Sequence, residues 1–432
     1  ELTAQLYQAY GMQDLRADAQ KWVNLAKAAD LRKAERYAAE AYLMMGDGDA
    51  VGAEAMLRDL TDKKGVRDGK ILHALSVANL ELGKYKEAQA AAEAGMKLNV
   101  GLVRLPIAHG DSLLAQANYG SARTAYKRAI QLNGNHLGAR TAILLSQAVS
   151  GEGGAALLLK EAEKLRLEAG GQGEGAAPPR AMAFIEYADG EVFAREGKDA
   201  EALAQADKAL STYPKLHMAQ VLKGRTLARM GKLPEAKAAF EEALKAAPTS
   251  VPYAATAAEA LWRAGAAKDG VGFLASLAER ANADGSAFVA LAIAQARAGM
   301  APEATASAAK ALSILGNAHE MALFAEARAL QATGKLDDAR NKYNEALGAR
   351  GDQKWPEVFF EMGWVRFAEK NHEDAAMLFQ EAIKLWEKGA GTLDQVADGM
   401  EALASAYEQM GGKSARLAQD IKTKAQQVRR GL

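Results

Sequence analysis

Residues 220–248 read QVLKGRTLARMGKLPEAKAAFEEALKAAP. Val221, Leu222, Leu227 and Met230 fall at helical spacing and give one apolar stripe. Leu233, Ala236, Phe240, Ala243 and Leu244 give a second. Gly231 separates them, and Pro248 closes the second stretch. The segment therefore predicts two helices joined by a tight turn. Gly224, Ala236 and Ala243 let the two backbones approach closely, and Phe240 fills the space beside them. One such hairpin cannot bury both apolar stripes alone, so it needs neighbours of the same kind.

The neighbours are written at a fixed period. Gly197, Gly231, Gly265 and Gly299 stand 34 residues apart. Gly190 and Gly224 repeat the interval, as do Ser76 and Gly110. Ala88 and Ala122 keep the same phase, followed by Ala202 and Ala236, and Ala129, Ala209 and Ala243 form a parallel series. Pro214 and Pro248 end two consecutive units. A period of 34 with a helix–turn–helix pattern in each unit predicts an all-α solenoid of stacked antiparallel helix pairs.

In these positions the chain resembles the tetratricopeptide repeat (TPR) family, and within it the multi-repeat proteins of bacteria. Gly224 matches the small residue of the family's first helix, Gly231 the turn, and Ala236, Phe240, Ala243 and Pro248 the second helix and its end. The resemblance covers nearly the whole sequence and implies a right-handed superhelix that binds other proteins along a concave face lined by first helices.

By phase, residues 1–68 form degenerate N-terminal helical repeats or a cap, 69–168 and 183–389 are TPR units, and 390–432 are capping helices. Residues 169–182 interrupt the period. Leu144 is the counterpart of Gly110, but the next counterpart is Gly190, 46 residues on, which is one repeat plus 12. The stretch AGGQGEGAAPP at 169–179 cannot continue a helix. It reads as a surface loop or as a hinge between two lobes.

Composition narrows the function. The 432 residues include 54 Lys+Arg, 54 Asp+Glu and no cysteine. Zero net charge argues against a nucleic-acid partner, because such binding draws on excess Lys and Arg. The lack of cysteine removes disulfides, thiolate catalysis and thiolate metal sites. GGQGEG lacks the Lys-Ser/Thr of a phosphate loop, and the segment opening at Asp47 puts Arg58 where a calcium loop needs a bidentate carboxylate. The six histidines show no metal-ligand spacing and read as surface or groove residues. No nucleophile motif is present. We therefore expect no enzyme activity, no cofactor and no metal, and no apolar run long enough to span a bilayer is present.

The phase also places the groove. Phe184 and Tyr187, then Arg225, Trp262, Phe324 and Arg328, fall on its positions, followed by Phe360, Trp364 and Phe367 in WPEVFFEMGWVRFAEKN. Aromatics are scarce in this chain, so their concentration on one helix points to anchors for a protein partner. The competing reading is that the helices after residue 392 cover them as core. Family members that hold a chaperone's C-terminal carboxylate use a set of Lys, Asn and Arg. The matching positions here carry His73, Val77, Ala108, Gly138 and Ala142, so that set is absent. The expectation is a scaffold that seats a partner helix, peptide or domain. Ala- and Gly-rich composition suggests a bacterial protein, and analogy suggests an envelope, pilus or motility assembly, periplasmic rather than cytoplasmic. The alternative is a regulatory TPR region of a longer enzyme or signalling protein, an expectation encouraged by a first residue, Glu1, that is not Met.

Overall fold

The computed structural model describes residues 4–5, 8, 13–29, 31, 33–170, 179–280, 284–351, 354–388 and 391–429. Among these there are helices and turns and no strand, so the chain is an all-α solenoid. At the N-terminal end α1 (Gln13–Ala28) precedes the hairpin α2 (Ala34–Gly46) and α3 (Ala50–Arg58), which runs into a π-helical turn at Asp59–Lys63. Ten helix pairs follow. They are α4 (Gly69–Glu81) with α5 (Tyr85–Leu98), α6 (Arg104–Ala115) with α7 (Tyr119–Leu132), and α8 (Leu137–Ser150) with α9 (Ala155–Gly170). Next come α10 (Pro179–Arg195) with α11 (Asp199–Thr212), α12 (His217–Arg229) with α13 (Leu233–Ala246), and α14 (Val251–Arg263) with α15 (Ala267–Ala278). The last four are α16 (Gly285–Arg297) with α17 (Ala301–Leu315), α18 (Glu320–Ala332) with α19 (Leu336–Arg350), α20 (Pro356–Ala368) with α21 (His372–Lys388), and α22 (Leu393–Met410) with α23 (Gly412–Arg429). The break in the period falls between α9 and α10; residues 171–178 of the Gly/Pro-rich stretch lie outside the described residues.

Three of the pairs are held by the glycine–ring contact that the sequence predicts. A Cβ built on Gly224 would lie 2.7 Å from the ring of Phe240, so only glycine lets that ring seat between α12 and α13. Gly110 meets Tyr126, and Gly363 meets Phe379, in the same way at 2.5 Å. Phe240, Tyr126 and Phe379 are fully buried. Between the helices of a pair the chain turns through a residue in the left-handed region, as at Gly231 with φ 77° and Gly265 with φ 80°. Helix starts are capped where the sequence allows. The Asp284 carboxylate accepts from the Ser286 and Ala287 amides, and Thr392 with Gln395 forms a reciprocal capping box.

Packing runs from each pair to the next, so the core is a chain of small clusters, each built from consecutive units. The solenoid also touches itself. The Thr249 hydroxyl donates to the Gly83 carbonyl at 2.9 Å, joining the α4–α5 turn to the α13–α14 turn. Arg263, at the end of α14, is hydrogen-bonded to Asp398 on α22. Four to five pairs therefore bring the chain back over its own inner face.

Candidate functional site

The first helices α14, α16, α18, α20 and α22 enclose a cavity of about 1210 Å³ on that inner face. Trp386 of α21 and Arg429 of α23 complete its far wall. Five of the nine residues assigned to the groove come together here: Trp262, Phe324, Arg328, Phe360 and Trp364. Their helical phase explains the convergence. On α20, Glu357, Phe360, Glu361 and Trp364 are spaced i, i+3, i+4 and i+7, so they share one face.

The other four lie elsewhere. Phe184 and Tyr187 are each 4% exposed, so neither is available as a surface anchor, which corrects the expectation for both. Helix α10 packs against α8 as well as α11, and it buries nearly all of its length. First helices in contact interdigitate their groove-side residues, and the Arg180 guanidinium covers the Phe184 ring at 4.8 Å. Arg225 belongs to this second cluster: it donates to Glu191 Oε2 at 2.5 Å, while the Tyr187 hydroxyl donates to Glu191 Oε1 at 2.6 Å. Phe367 is half-buried between Trp364, at 5.4 Å between ring centroids, and His372 at 5.0 Å. It does not line the cavity.

The aromatic helix combines the two readings the sequence left open. Phe360 stacks at a tilt on Phe379 and Trp386, 5.8 and 5.4 Å away, and Trp364 meets Phe379 edge-on at 5.2 Å. Both pack against the core beneath α22, yet both keep a side on the cavity. Phe324 is nearly buried, stacked on Trp355 at 5.2 Å.

Charge on the inner face is paired from one unit to the next. Glu259 accepts from Arg263 at 2.9 Å and from Arg297, Arg328 donates to Glu361, and Asp398 accepts from Arg429 at 2.8 Å as well as from Arg263. The Arg297 guanidinium lies 4.7 Å from the Trp262 ring centroid, with Arg263 at 5.5 Å. Burial, and then the neighbouring Arg328 charge, lowers the Arg297 pKa to about 10, which still leaves it protonated at neutral pH. The cavity thus joins apolar and aromatic walls to internally neutralised ion pairs, an arrangement suited to covering an amphipathic segment.

Several cavity residues escape a reading confined to the groove phase: Trp386, Gln395, Asp398 and Arg429. Glu357 shares the phase of Phe360 and Trp364 but is not aromatic, so a search for anchors passes over it. One signal was available. Helix α21 has 17 residues where α11 and α13 each have 14, and Trp386 sits in the added turn. Among the described residues no group of three or more His, Asp or Glu is placed to hold a metal ion. No described helix is long and apolar enough to cross a membrane.

Comparison with known proteins agrees with the repeat. Residues 194–257 match the family model described as the N-terminal TPR repeats region of Psidin. No curated protein matches the chain. Similar solved structures include Cut9 with Hcn1 from the APC/C hetero-tetramer, at 11% identity and TM-score 0.36, covering 95% of each chain. Yeast Tom70 follows at 10% identity and TM-score 0.39, covering 90% of this chain and 99% of that one. The human IFIT1 dimer with m7Gppp-AAAA is 15% identical with TM-score 0.48, covering 88% and 89%. Residues 194–257 are tetratricopeptide repeats, and repeats of this kind imply a protein-interaction scaffold.

Proposed function

We propose that this chain is a non-enzymatic scaffold that seats a helix, peptide or domain of another protein in the cavity between α14 and α22. The observation that carries the reading is the convergence of Trp262, Phe360 and Trp364 on one concave face beside Arg328 and Phe324. Large, rigid aromatic side chains at the centre of a concave surface supply most of the energy in protein recognition. A protein partner fits better than a nucleic acid, because Arg263, Arg297, Arg328 and Arg429 are all bonded to carboxylates and leave little cationic surface for phosphate. The setting we infer, on composition and analogy, is a bacterial envelope, pilus or motility assembly.

The test is affinity capture from native extract with three baits: the wild-type chain, Trp262→Ala, and Leu157→Ala on the outer surface, where Leu157 is 66% exposed. Captured protein is read by mass spectrometry and captured RNA by sequencing. A protein held by wild type and by Leu157→Ala but lost from Trp262→Ala supports the cavity. Equal capture by all three moves the site elsewhere, and RNA as the main captured species overturns the choice of partner.

A further inference from the structure

The cavity's charge inventory is balanced except at one place. Among the described residues its lining holds six carboxylates and five Lys or Arg side chains. Glu259, Glu361 and Asp398 are bonded to arginines as given above. Glu401 lies 3.1 Å from Arg429, and Asp284 lies 3.3 Å from Lys86. Glu357 stands apart. It accepts only from neutral donors, Trp386 Nε1 at 3.2 Å and Gln395 Nε2 at 3.3 Å. Both bonds end on Oε1, and Oε2 carries none among the described residues.

The surroundings of this carboxylate are aromatic. Phe360 is one turn further along the same face of α20, and Trp364 one turn beyond that. Trp386, whose indole N–H orients Glu357, has its ring 5.4 Å from Phe360. Phe360 and Trp364 meet at 6.2 Å with their planes at 88°. Ring faces carry negative potential and attract an organic cation, most strongly in a desolvated site beside a carboxylate.

We propose that Glu357, oriented by Trp386 and flanked by Phe360 and Trp364, receives one Lys or Arg side chain of the partner segment, set among apolar residues that cover Ile293 and Met321. This rests on the docking reading above and specifies its chemistry. The occupant is a peptide segment and not a free amine. The cavity is many times the volume of an ammonium group, and its aliphatic wall needs cover of its own. A partner carrying an acidic residue at that point would meet an unneutralised carboxylate and be rejected.

The experiment uses the full chain as bait for a displayed library of random 16-residue peptides. Wild type is expected to enrich peptides with one Lys or Arg inside an apolar i, i+3, i+4 pattern. Glu357→Gln, checked for folding by circular dichroism, is expected to enrich the apolar pattern without the basic residue. Glu357→Lys is expected to exchange the basic residue for an acidic one. In a selected peptide, replacing its Lys by Met should weaken binding to wild type about tenfold, and to Glu357→Gln by less than about twofold. Peptides enriched without a basic residue, or equal loss on both proteins, overturn the Glu357 assignment and leave docking standing. Failure of wild type to enrich any peptide overturns both readings.

Discussion

Gly224 on α12 lies against the ring of Phe240 on α13, where an added Cβ would stand 2.7 Å from a ring carbon. Ring and helix backbone are both fixed by neighbours, so the clash cannot be relieved by a flexible chain end. Gly224→Ala is expected to cost about 1–3 kcal/mol, the usual penalty of overpacking. Phe240→Leu removes the ring edge, so the double variant should lose less than the sum of the two single changes. Urea denaturation gives the energies. Hydrogen exchange should confine the loss to α12, α13 and their neighbours, because solenoid stability is local.

Two turns depart from the glycine rule. Ala117 has φ 58° and Lys370 has φ 61°, where the matching turns carry Gly83, Gly231 and Gly265. Both residues are exposed, so what their side chains contribute is mainly strain. Ala117→Gly and Lys370→Gly should each raise stability by about 1 kcal/mol by removing the left-handed penalty. The mirror change, Gly231→Ala, should lower it by a similar amount. Melting temperatures of the three variants decide the matter.

Much of this fold was legible because its information is local and repeated. Gly224, Phe240 and Gly231 each report a contact within one helix pair, and the glycine–ring contact recurs at Gly110 with Tyr126 and at Gly363 with Phe379. The site was less legible. Trp262, Phe360 and Trp364 could be placed on the inner face by phase. Whether a groove residue stays open depends on how closely first helices pack, which buried Phe184 and Tyr187. The pairing of Arg263 with Asp398, 135 residues away, depends on the rotation accumulated over the intervening pairs. No local pattern encodes that angle. His73 shows the same limit: it reads as a surface or groove residue, yet it is buried against Tyr42.

His73 makes stability depend on pH. Its Nδ1 is 2.5 Å from the Tyr42 hydroxyl. Burial, and then the Arg104 charge, lowers its pKa from 6.5 to about 3. Between those two values the unfolded chain binds a proton that the folded chain does not, so stability rises with pH across the window. The contribution is fully present above about pH 6.5 and is lost as pH falls toward 3. Carboxylates add their own loss below about pH 5. His109, His136 and His217, whose pKa values burial also lowers, add theirs over the same range as His73, so replacing His73 should remove only part of the decline. Replacing it with glutamine keeps a hydrogen-bonding group for Tyr42 and removes the titration. The wild-type decline in melting temperature from pH 6.5 to 5 should flatten in part in His73→Gln. An unchanged slope would assign the decline to other groups.

Asp398 accepts from Arg263 of α14 and from Arg429 of α23, and so ties the start of the last helix pair to a helix four pairs earlier. All three side chains are partly solvent-exposed, and pairs of this kind contribute about 0–1 kcal/mol each. Global stability should therefore change little in Asp398→Asn. The geometry should change more, because α22 and α23 take their apolar packing from α21 and from each other, and α14 is not part of that cluster. The expected result is a larger radius of gyration by solution scattering and faster amide exchange at the end of α14 and the start of α22. The melting temperature should stay nearly constant. Raising salt well above physiological strength should move wild type in the same direction, since screening weakens exposed pairs first. Glu369→Gln, which breaks a pair with Arg340 between adjacent units, should leave the radius unchanged. If Asp398→Asn also leaves it unchanged, the closure is set by the accumulated rotation of the helix pairs, and the ion pairs only decorate it.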